Sequence, residues 1–358
     1  MISRGKSPWR QSQRLKEEDR ISELPDPLIC QVLSHLSTKD LVKTSVLSTR
    51  WRTLWLWVPR EYLDSREFPC LDVFVKFGDR FFDSDRASCI DKLNLTIVVH
   101  EGRDDGASYF HKSWIDAAVT RKVQHVHVQL HVGNYWDYLE MPTSLFNCKT
   151  LVSLKLRTVK LALDHVGFVS LPCLKTMQLK YFNINEASFE RLVSCCPVLE
   201  KLTISKCVNI LDVKVFRVLS TSLKMLVVEL LNFGHALGSG FVVDAPRLRF
   251  LSVVDYLSES FVVHNMDSNA AIVDFALTFG LKVLDEATGS SKRSSIRRFL
   301  SGISKVTEMT LCPYTFETSV ILKKLTVRIS SDISRENGTL KRLLEIPRGS
   351  TKCQVVVL

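Results

Sequence analysis

A short apolar motif recurs along most of the chain at nearly constant intervals. Successive copies of the pattern apolar-x-x-apolar-x-apolar start 23 to 25 residues apart. One copy alone cannot bury its apolar face, so neighbouring copies must stack on one another. The clear copies begin at Leu151, Leu174, Leu199, Leu223, Leu248 and Ile272. The sequence therefore predicts a solenoid of stacked repeats, each contributing one short strand.

The motif and its period are those of leucine-rich repeats, in which each strand is followed by a return segment on the opposite side. Looser copies begin at Ile90 and Val123, and copies that fit the motif but not the period begin at Val306 and Leu322. The Asn or Cys that usually follows the motif is clear only at Cys207, which predicts an irregular solenoid. For residues 250–320, a mixed sheet and an incomplete β-helix remain alternatives.

Residues 19 to about 60 follow a helical period instead of the repeat. A first helix is predicted from Leu24-Pro25 onward, because proline suits the first turn of a helix. Ser37 has N-cap chemistry for a second helix, and Ser48 has it for a third. Three helices of this length cannot bury all of their apolar surface. The remaining apolar face is expected to contact either a partner protein or the rest of the chain.

Two landmarks of this helical segment resemble the F-box of plant proteins. They are Leu24-Pro25 and Leu47-Ser48-x-Arg50-Trp51, within the stretches 19–40 and 44–55. Further along, the stretches 114–123 and 145–151 resemble the linker and first leucine-rich repeats of the same plant proteins, and the stretches 322–327 and 346–355 resemble their C-terminal FBD signature. The chain thus resembles plant F-box proteins with leucine-rich repeats and an FBD segment.

The resemblance implies a substrate-receptor subunit of an SCF-type, cullin-RING E3 ubiquitin ligase. In that family the F-box docks on a Skp-type adaptor, the adaptor binds a cullin scaffold, and the repeats hold the target protein. Such a subunit needs no catalytic residue and no cofactor of its own. The adaptor contacts carried over by position are Leu24, Pro25, Ile29, Leu33, Leu36, Leu41, Val42, Val46, Leu47 and Trp51. Some of these side chains are expected to hold the three helices together instead.

Together, the sequence patterns and the resemblance predict an α/β chain with five segments. A disordered basic arm is expected at residues 1–18, a three-helix F-box at 19–60 and a linker at 61–89. An irregular leucine-rich-repeat solenoid, horseshoe-like in form, is expected at 90–305. A shortened FBD-like segment is expected at 306–358.

The net charge of +10 and the pI near 9.1 suggest an anionic partner. Basic residues within or beside the motifs favour an acidic target protein. These candidates for substrate binding are Lys155, Arg157, Lys175, Lys180, Lys201 and Lys224. Two alternatives are a basic nucleic-acid-binding repeat protein, although none of its usual motifs is present, and a scaffold that binds the adaptor without entering a ligase.

Few side-chain patterns suggest chemistry. His125, His127 and His131 share one face of a predicted strand, but Val126 and Val128 hold the core-facing positions, so we expect solvated histidines and no metal site. Cys195-Cys196 is expected to pack in a return segment. The basic, serine-rich stretch 290–298 is expected to be a solvated connection.

The N-terminal sequence lacks the apolar core of a secretory signal, and no run of residues is apolar enough to span a membrane. Ten cysteines are scattered without a C-x-x-C pair. We therefore expect reduced thiols, no membrane partner and a location in the nucleus or cytoplasm or both.

Overall fold

The computed structural model divides the chain into two compact units, Met1–Val58 and Pro59–Leu358. It describes residues 21, 23–58, 60–83, 90–99, 110–132, 138–164, 166–205, 215–230, 240–255, 260–264, 272–277, 308–311, 324–327 and 354–357. The expected basic arm, the stretch 290–298 and most of the FBD-like segment lie outside these residues. None of the helices found within these ranges is long and apolar enough to cross a membrane.

The first unit contains two α-helices, α1 at Asp26–Leu33 and α2 at Thr38–Lys43. Pro25 stands at the N-cap of α1, one position before the first turn. The Ser37 hydroxyl caps α2 by accepting a hydrogen bond from the Asp40 amide at 3.2 Å, as predicted. Hydrogen bonds from the Lys43 ammonium and from Ser37 hold the pKa of the Asp40 carboxyl below its usual value.

The predicted third helix is only a 3₁₀ turn, Leu54–Trp57. The Ser48 hydroxyl accepts a hydrogen bond from the Trp51 amide at 3.4 Å, so the capping contact forms without the helix. Pro59 disfavours helical geometry at the preceding residue, and Val58 is extended with ψ of 122°. The segment therefore has room for one turn and no more.

The second unit begins with alternating strands and helices. In chain order its first elements are β1 Arg60–Asp64, α3 Leu71–Phe82, β2 Lys92–Val99, α4 Phe110–Thr120, β3 His125–Val132, β4 Leu139–Glu140, β5 Ser153–Lys160, β6 Thr176–Asn183 and α5 Glu186–Ser194. Short 3₁₀ turns lie at Ser65–Glu67 and Thr143–Asn147.

Strands alone follow α5 within the described ranges. They are β7 Lys201–Ser205, β8 Val215–Leu219, β9 Met225–Leu230, β10 Gly240–Asp244, β11 Phe250–Asp255, β12 Ser260–His264, β13 Ile272–Leu277, β14 Glu308–Leu311, β15 Lys324–Val327 and β16 Gln354–Val357. The long sheet has the order β1-β2-β3-β5-β6-β7-β9-β11-β13-β14-β15-β16, with β4 pairing β5. A second sheet has the order β12-β10-β8.

The motif positions lie directly opposite one another in the long sheet. Leu154 pairs with Met177, Met177 with Leu202, and the same row continues through Leu226, Leu251 and Val273. These six side chains are fully buried. The row also takes in Leu93, Val126, Met309, Leu325 and Val355. The structure thus confirms the predicted solenoid, including the loose copies at both ends.

The return side of the repeats changes from helix to strand along the chain. It is helical at α3, α4 and α5, whereas β8, β10 and β12 form a parallel sheet of their own. Phe216, Phe241 and Phe261 stack at ring-centroid distances of 5.3 and 5.4 Å beneath it. A β-helix-like return sheet therefore occurs within the solenoid at residues 215–264, and it starts before residue 250, where the β-helix alternative was placed. No antiparallel pair that would make a mixed sheet occurs between described strands.

A backbone ladder stabilises the entries of six strands of the long sheet, β3, β5, β6, β7, β9 and β11. The Lys175 carbonyl accepts hydrogen bonds from the Glu200 and Lys201 amides, both at 2.9 Å. The Lys224 carbonyl does the same for Arg249 and Phe250, at 2.9 and 3.0 Å. Equivalent paired bonds reach the carbonyls of Asp91, Gln124, Val152 and Glu200. The strand entries are therefore regular, and the predicted irregularity lies mainly on the return side.

The segment 61–89, which the sequence assigns to a linker, carries β1 and α3. Strand β1 pairs with β2 in parallel, and α3 packs on α4 through an aromatic cluster. The buried Trp114 ring lies 5.3 Å from Phe74, 5.5 Å from Phe82 and 4.7 Å from Phe110, centroid to centroid. Its indole N–H donates to the Asp79 carboxylate at 2.8 Å. Since this helix must bury aromatic side chains, it belongs to the repeat unit.

Gly78 on α3 leaves the space that the Trp114 ring fills. A Cβ atom at this position would lie 2.1 Å from the ring, which its aromatic neighbours hold in place. Gly78→Ala should lower the free energy of unfolding by roughly 1 to 2 kcal/mol, because overpacking exceeds the gain in helix propensity. Chemical denaturation of the variant and the wild type measures this difference in the free energy of unfolding.

Gly167→Ala is the matched control, since nothing lies within 4 Å of the added Cβ there. Its free energy of unfolding should stay within about 0.5 kcal/mol of the wild-type value. Equal stability of the two variants would contradict the packing described at Trp114.

Candidate binding surfaces

Helix α1 has apolar side chains on two faces. Ile29 and Leu33 lie in the core of the first unit and are essentially inaccessible to solvent. Leu28 and Val32, also four residues apart, are 47% and 55% exposed. Because positions i and i+4 share one face of a helix, these two form an exposed apolar strip.

A second exposed apolar site follows α2. Val46 and Leu47 are 84% and 65% exposed, and Leu36, in the turn between α1 and α2, is exposed as well. We call Leu28, Val32, Leu36, Val46 and Leu47 the apolar set of the first unit. Large apolar side chains this exposed are typical of surfaces that bind another protein.

The structure separates the predicted adaptor contacts into core and surface. Ile29, Leu33, Leu41 and Trp51 form the core together with Cys30, Leu54 and Val58. These four side chains are buried and hold the unit together, the alternative role that the sequence analysis gave to some of the ten residues. Pro25, Leu36, Val46 and Leu47 are exposed, and Leu24 and Val42 are half-buried.

Leu28 and Val32 are absent from the contacts carried over by position, although both are exposed. Each directly precedes a core residue, Ile29 or Leu33, so the sequence shows two adjacent apolar rows on α1. Periodicity alone does not tell which row is covered, because either can face the core. The answer depends on where Trp51 and Leu54 pack.

Arg50 ties the two F-box landmarks of the sequence together. Its Nε donates to the Asp26 Oδ1 at 2.8 Å, and its Nη2 lies 2.5 Å from the same oxygen. Nη2 also donates to the Leu24 carbonyl at 2.6 Å. The guanidinium therefore fixes the start of α1 against the loop that carries Leu47 and Trp51.

The predicted substrate-binding cations occupy two positions in the second unit. Lys155, Arg157, Lys180 and Lys201 lie on the long sheet, on the face opposite the buried motif positions. Lys175 and Lys224 lie just before β6 and β9, and Lys224 pairs with the Glu200 carboxylate at 2.9 Å. The sheet face thus carries four of the six.

The basic sheet face includes an aromatic ring. The Arg157 guanidinium lies 5.4 Å from the Tyr181 ring centroid, and the Lys180 ammonium lies 5.9 Å from it. Tyr181 has a left-handed backbone with φ of 51°, as has Thr158 in the neighbouring strand. This paired bulge interrupts the alternation of side chains and brings the ring next to the two cations.

A groove of about 440 Å³ lies on the same face, over β2, β3 and β5. Lys92, His125, His127 and Lys155 line it, with Asp91 as its acidic residue. Burial and the neighbouring cations Lys155 and Lys92 lower the pKa of His127. His127 is therefore neutral near pH 7. The ammonium groups of Lys92 and Lys155 that line the groove can donate hydrogen bonds to an anion.

Burial, followed by the charges of Arg157 and Arg66, lowers the pKa of His131, while Asp64 acts in the opposite direction. In the described ranges, no group of three or more His, Cys, Asp and Glu side chains is placed to hold a metal ion. Cys196 is buried, donates to the Leu192 carbonyl at 3.1 Å and has its pKa raised to about 12 by burial. It packs in a return segment, as predicted.

Comparison with known proteins matches both units. The model of the F-box domain matches residues 21–62, and the model of the LRR repeats of the FBD-associated F-box protein At5g56370 matches residues 111–272. The FBD-associated F-box protein At5g53635 of Arabidopsis thaliana is 52% identical over 298 residues, which is 83% of this chain and 68% of the relative. The chain belongs to the F-box/FBD/LRR-repeat family.

Other Arabidopsis thaliana members align over the same extent. F-box/FBD/LRR-repeat protein At5g22700 is 36% identical over 82% of the chain and 66% of its own length. F-box/LRR-repeat protein 13 is 38% identical over 84% of the chain and 66% of its own length. The chain spans about two-thirds of the length of these relatives. The resemblance inferred from the F-box landmarks and the repeats is thereby confirmed.

Arg50→Ala should loosen the F-box unit. Loss of the bonds to Asp26 and Leu24 costs about 1 kcal/mol in local stability, since the pair is partly exposed. Hydrogen exchange of the α1 amides should become about five-fold faster. Arg52→Ala is the control, because Arg52 is also exposed in the same unit. Equal exchange rates in the two variants would show that the Arg50 contacts do not stabilise α1.

Proposed function

We propose that the chain is a substrate-receptor subunit of an SCF-type ubiquitin ligase. Its F-box unit binds a Skp-type adaptor, the adaptor connects it to a cullin scaffold, and the long sheet of the second unit binds the target protein. The observation that supports the first step is the exposure of the apolar set of the F-box unit. F-box/LRR proteins are generally substrate receptors of SCF ligases.

The apolar set is suited to a stable contact. Fully burying a Leu or Val side chain contributes about 1.5 to 3 kcal/mol. Leu28 and Val32 stand on a helix whose other face is packed in the core, and Arg50 fixes the start of that helix. A surface held in place in the free protein loses little conformational entropy when it binds, which favours affinity.

Ubiquitin transfer to a bound target needs proximity and no chemistry from this chain. A receptor that holds its target beside a charged conjugating enzyme raises the effective concentration of the target's lysines. F-box/LRR proteins are typically non-catalytic subunits, and this chain fits that role. We place the protein in the nucleus or cytoplasm or both, where its six described free thiols would stay reduced.

The test of the first step is binding of the full chain to a purified Skp-type adaptor by calorimetry. Leu28→Ala/Val32→Ala should weaken binding about 100-fold, because it removes about 3 kcal/mol of apolar contact. Phe168→Ala is the control, since Phe168 is 69% exposed but lies in the second unit. Its affinity should equal that of the wild type.

Unchanged affinity in the double variant would refute α1 as the adaptor-binding surface, and failure of the folded wild-type chain to bind would refute the adaptor proposal. Ubiquitin transfer then separates a ligase subunit from a scaffold that only binds the adaptor. In a reaction with adaptor, cullin-RING scaffold and conjugating enzyme, ubiquitin should be attached to the receptor chain itself. Binding without transfer would favour the scaffold.

A further inference from the structure

The outward face of the long sheet has two chemically different halves. From β2 to β7 the described outward positions carry cations, histidines and neutral polar or small side chains, and their one carboxylate, Glu140 on the short β4, is paired with Lys112 at 3.0 Å. Besides Lys160 at the end of β5, the cations are Lys92, Lys155, Arg157, Lys180 and Lys201. None of the ion pairs formed between described residues uses one of these five. This half attracts negative charge.

From β9 to β13 the outward positions become mainly apolar. Met225, Phe250 and Ile272 stand in one cross-strand row, and Ile272 is 41% exposed. Val227 and Val254 stand in the neighbouring rows and are half-buried. Apolar side chains that remain partly exposed on a sheet face gain free energy when a partner covers them.

One row runs continuously through both halves. Lys92, His125, Ser153, Thr176 and Lys201 lie side by side, and Met225, Phe250 and Ile272 continue the same line. With strands about 4.8 Å apart, the row is about 34 Å long. An extended peptide rises about 3.4 Å per residue, so about ten residues would cover it.

Two acidic residues stand at outward positions of β9–β13, Asp274 on β13 and, at the boundary between the halves, Glu229 on β9. Glu229 on β9 accepts a hydrogen bond from the Ser205 hydroxyl on β7 at 2.9 Å. An acidic side chain of a ligand placed over β9–β13 would meet these two acidic residues and no cation at the outward positions of those three strands. The face therefore discriminates by the order of charged and apolar residues, since repulsion excludes the reversed order.

We propose that this face binds an extended segment of the target protein that has an acidic block next to an apolar block. The acidic block lies over β2–β7 and the apolar block over β9–β13. The assignment of the segment to a ligase target rests on the proposed function, whereas binding of the segment does not require the adaptor. A nucleic acid is the less suitable ligand, because its phosphates continue over the apolar half.

The experiment selects ligands from a displayed library of random 12-residue peptides on the full chain. Enriched peptides are synthesised with a fluorophore, and their Kd values are measured by polarisation. Enriched sequences should contain an Asp/Glu block adjacent to an apolar block, in one order. Their affinity should fall as salt is raised.

Two pairs of substitutions test the two halves separately. Lys155→Glu/Lys201→Glu should weaken binding at least tenfold, and so should Val227→Thr/Ile272→Thr, which keeps strand-forming side chains. The control Lys76→Glu/Lys149→Glu makes the same change in net charge at exposed positions away from this face and should leave the Kd unchanged. If the first pair does not fold by circular dichroism, Lys155→Gln/Lys201→Gln replaces it.

The inference is overturned if no peptide is enriched, if enriched peptides lack the two blocks, or if the control pair weakens binding as much as the pairs on the face. It is also overturned if a single-stranded DNA 12-mer binds more tightly than the peptides and loses affinity on Lys155→Glu/Lys201→Glu. Adaptor binding is measured on the same proteins. If the wild-type chain binds the peptides but not the adaptor, the proposed function alone is rejected. If it binds the adaptor but no peptide with the two blocks, this inference alone is rejected.

Discussion

The rest of the second unit depends on the in-register alignment of its buried motif positions. Two apolar side chains per repeat, such as Leu154 and Leu156, stand opposite their counterparts in the next strand and are removed from water. A slip of one residue would turn these side chains outward and bring lysines inward, so the register is strongly determined. Paired backbone bonds at six strand entries add to it. With the inward positions fixed, the outward positions are free to carry specificity.

The sequence predicts the sheet better than it predicts what lies behind it. The motif is a local signal that repeats many times, and it identified even the loose copies at Ile90 and Val123. The return side has no such repeat: the amphipathic segment at Glu186–Ser194 forms a helix, and the alternating Val215–Leu219 forms a strand. The segment with Phe74 and Gly78 was missed because it carries no motif. Its role appears only when Trp114, which lies far away in sequence, packs against it.

The candidate sites show the same division between local and non-local information. The F-box landmarks locate the F-box unit, yet adjacent residues such as Leu28 and Ile29 cannot be told apart from the sequence. Long-range packing of Trp51 and Leu54 buries one and exposes the other. Basic residues near the motifs point to the outward face of the sheet. Only the strand register shows that Lys201 lies on that face, whereas Lys224 precedes β9 and pairs with Glu200.

We propose that the apolar set of the F-box unit binds the adaptor and that the sheet binds the target. Hydrogen exchange of the full chain, measured with and without a Skp-type adaptor, distinguishes these two surfaces. Adaptor binding should slow exchange in α1, α2 and residues 44–50 and leave exchange in β3 to β11 unchanged. Slower exchange in those strands, or no change anywhere between residues 23 and 58, would contradict the proposal.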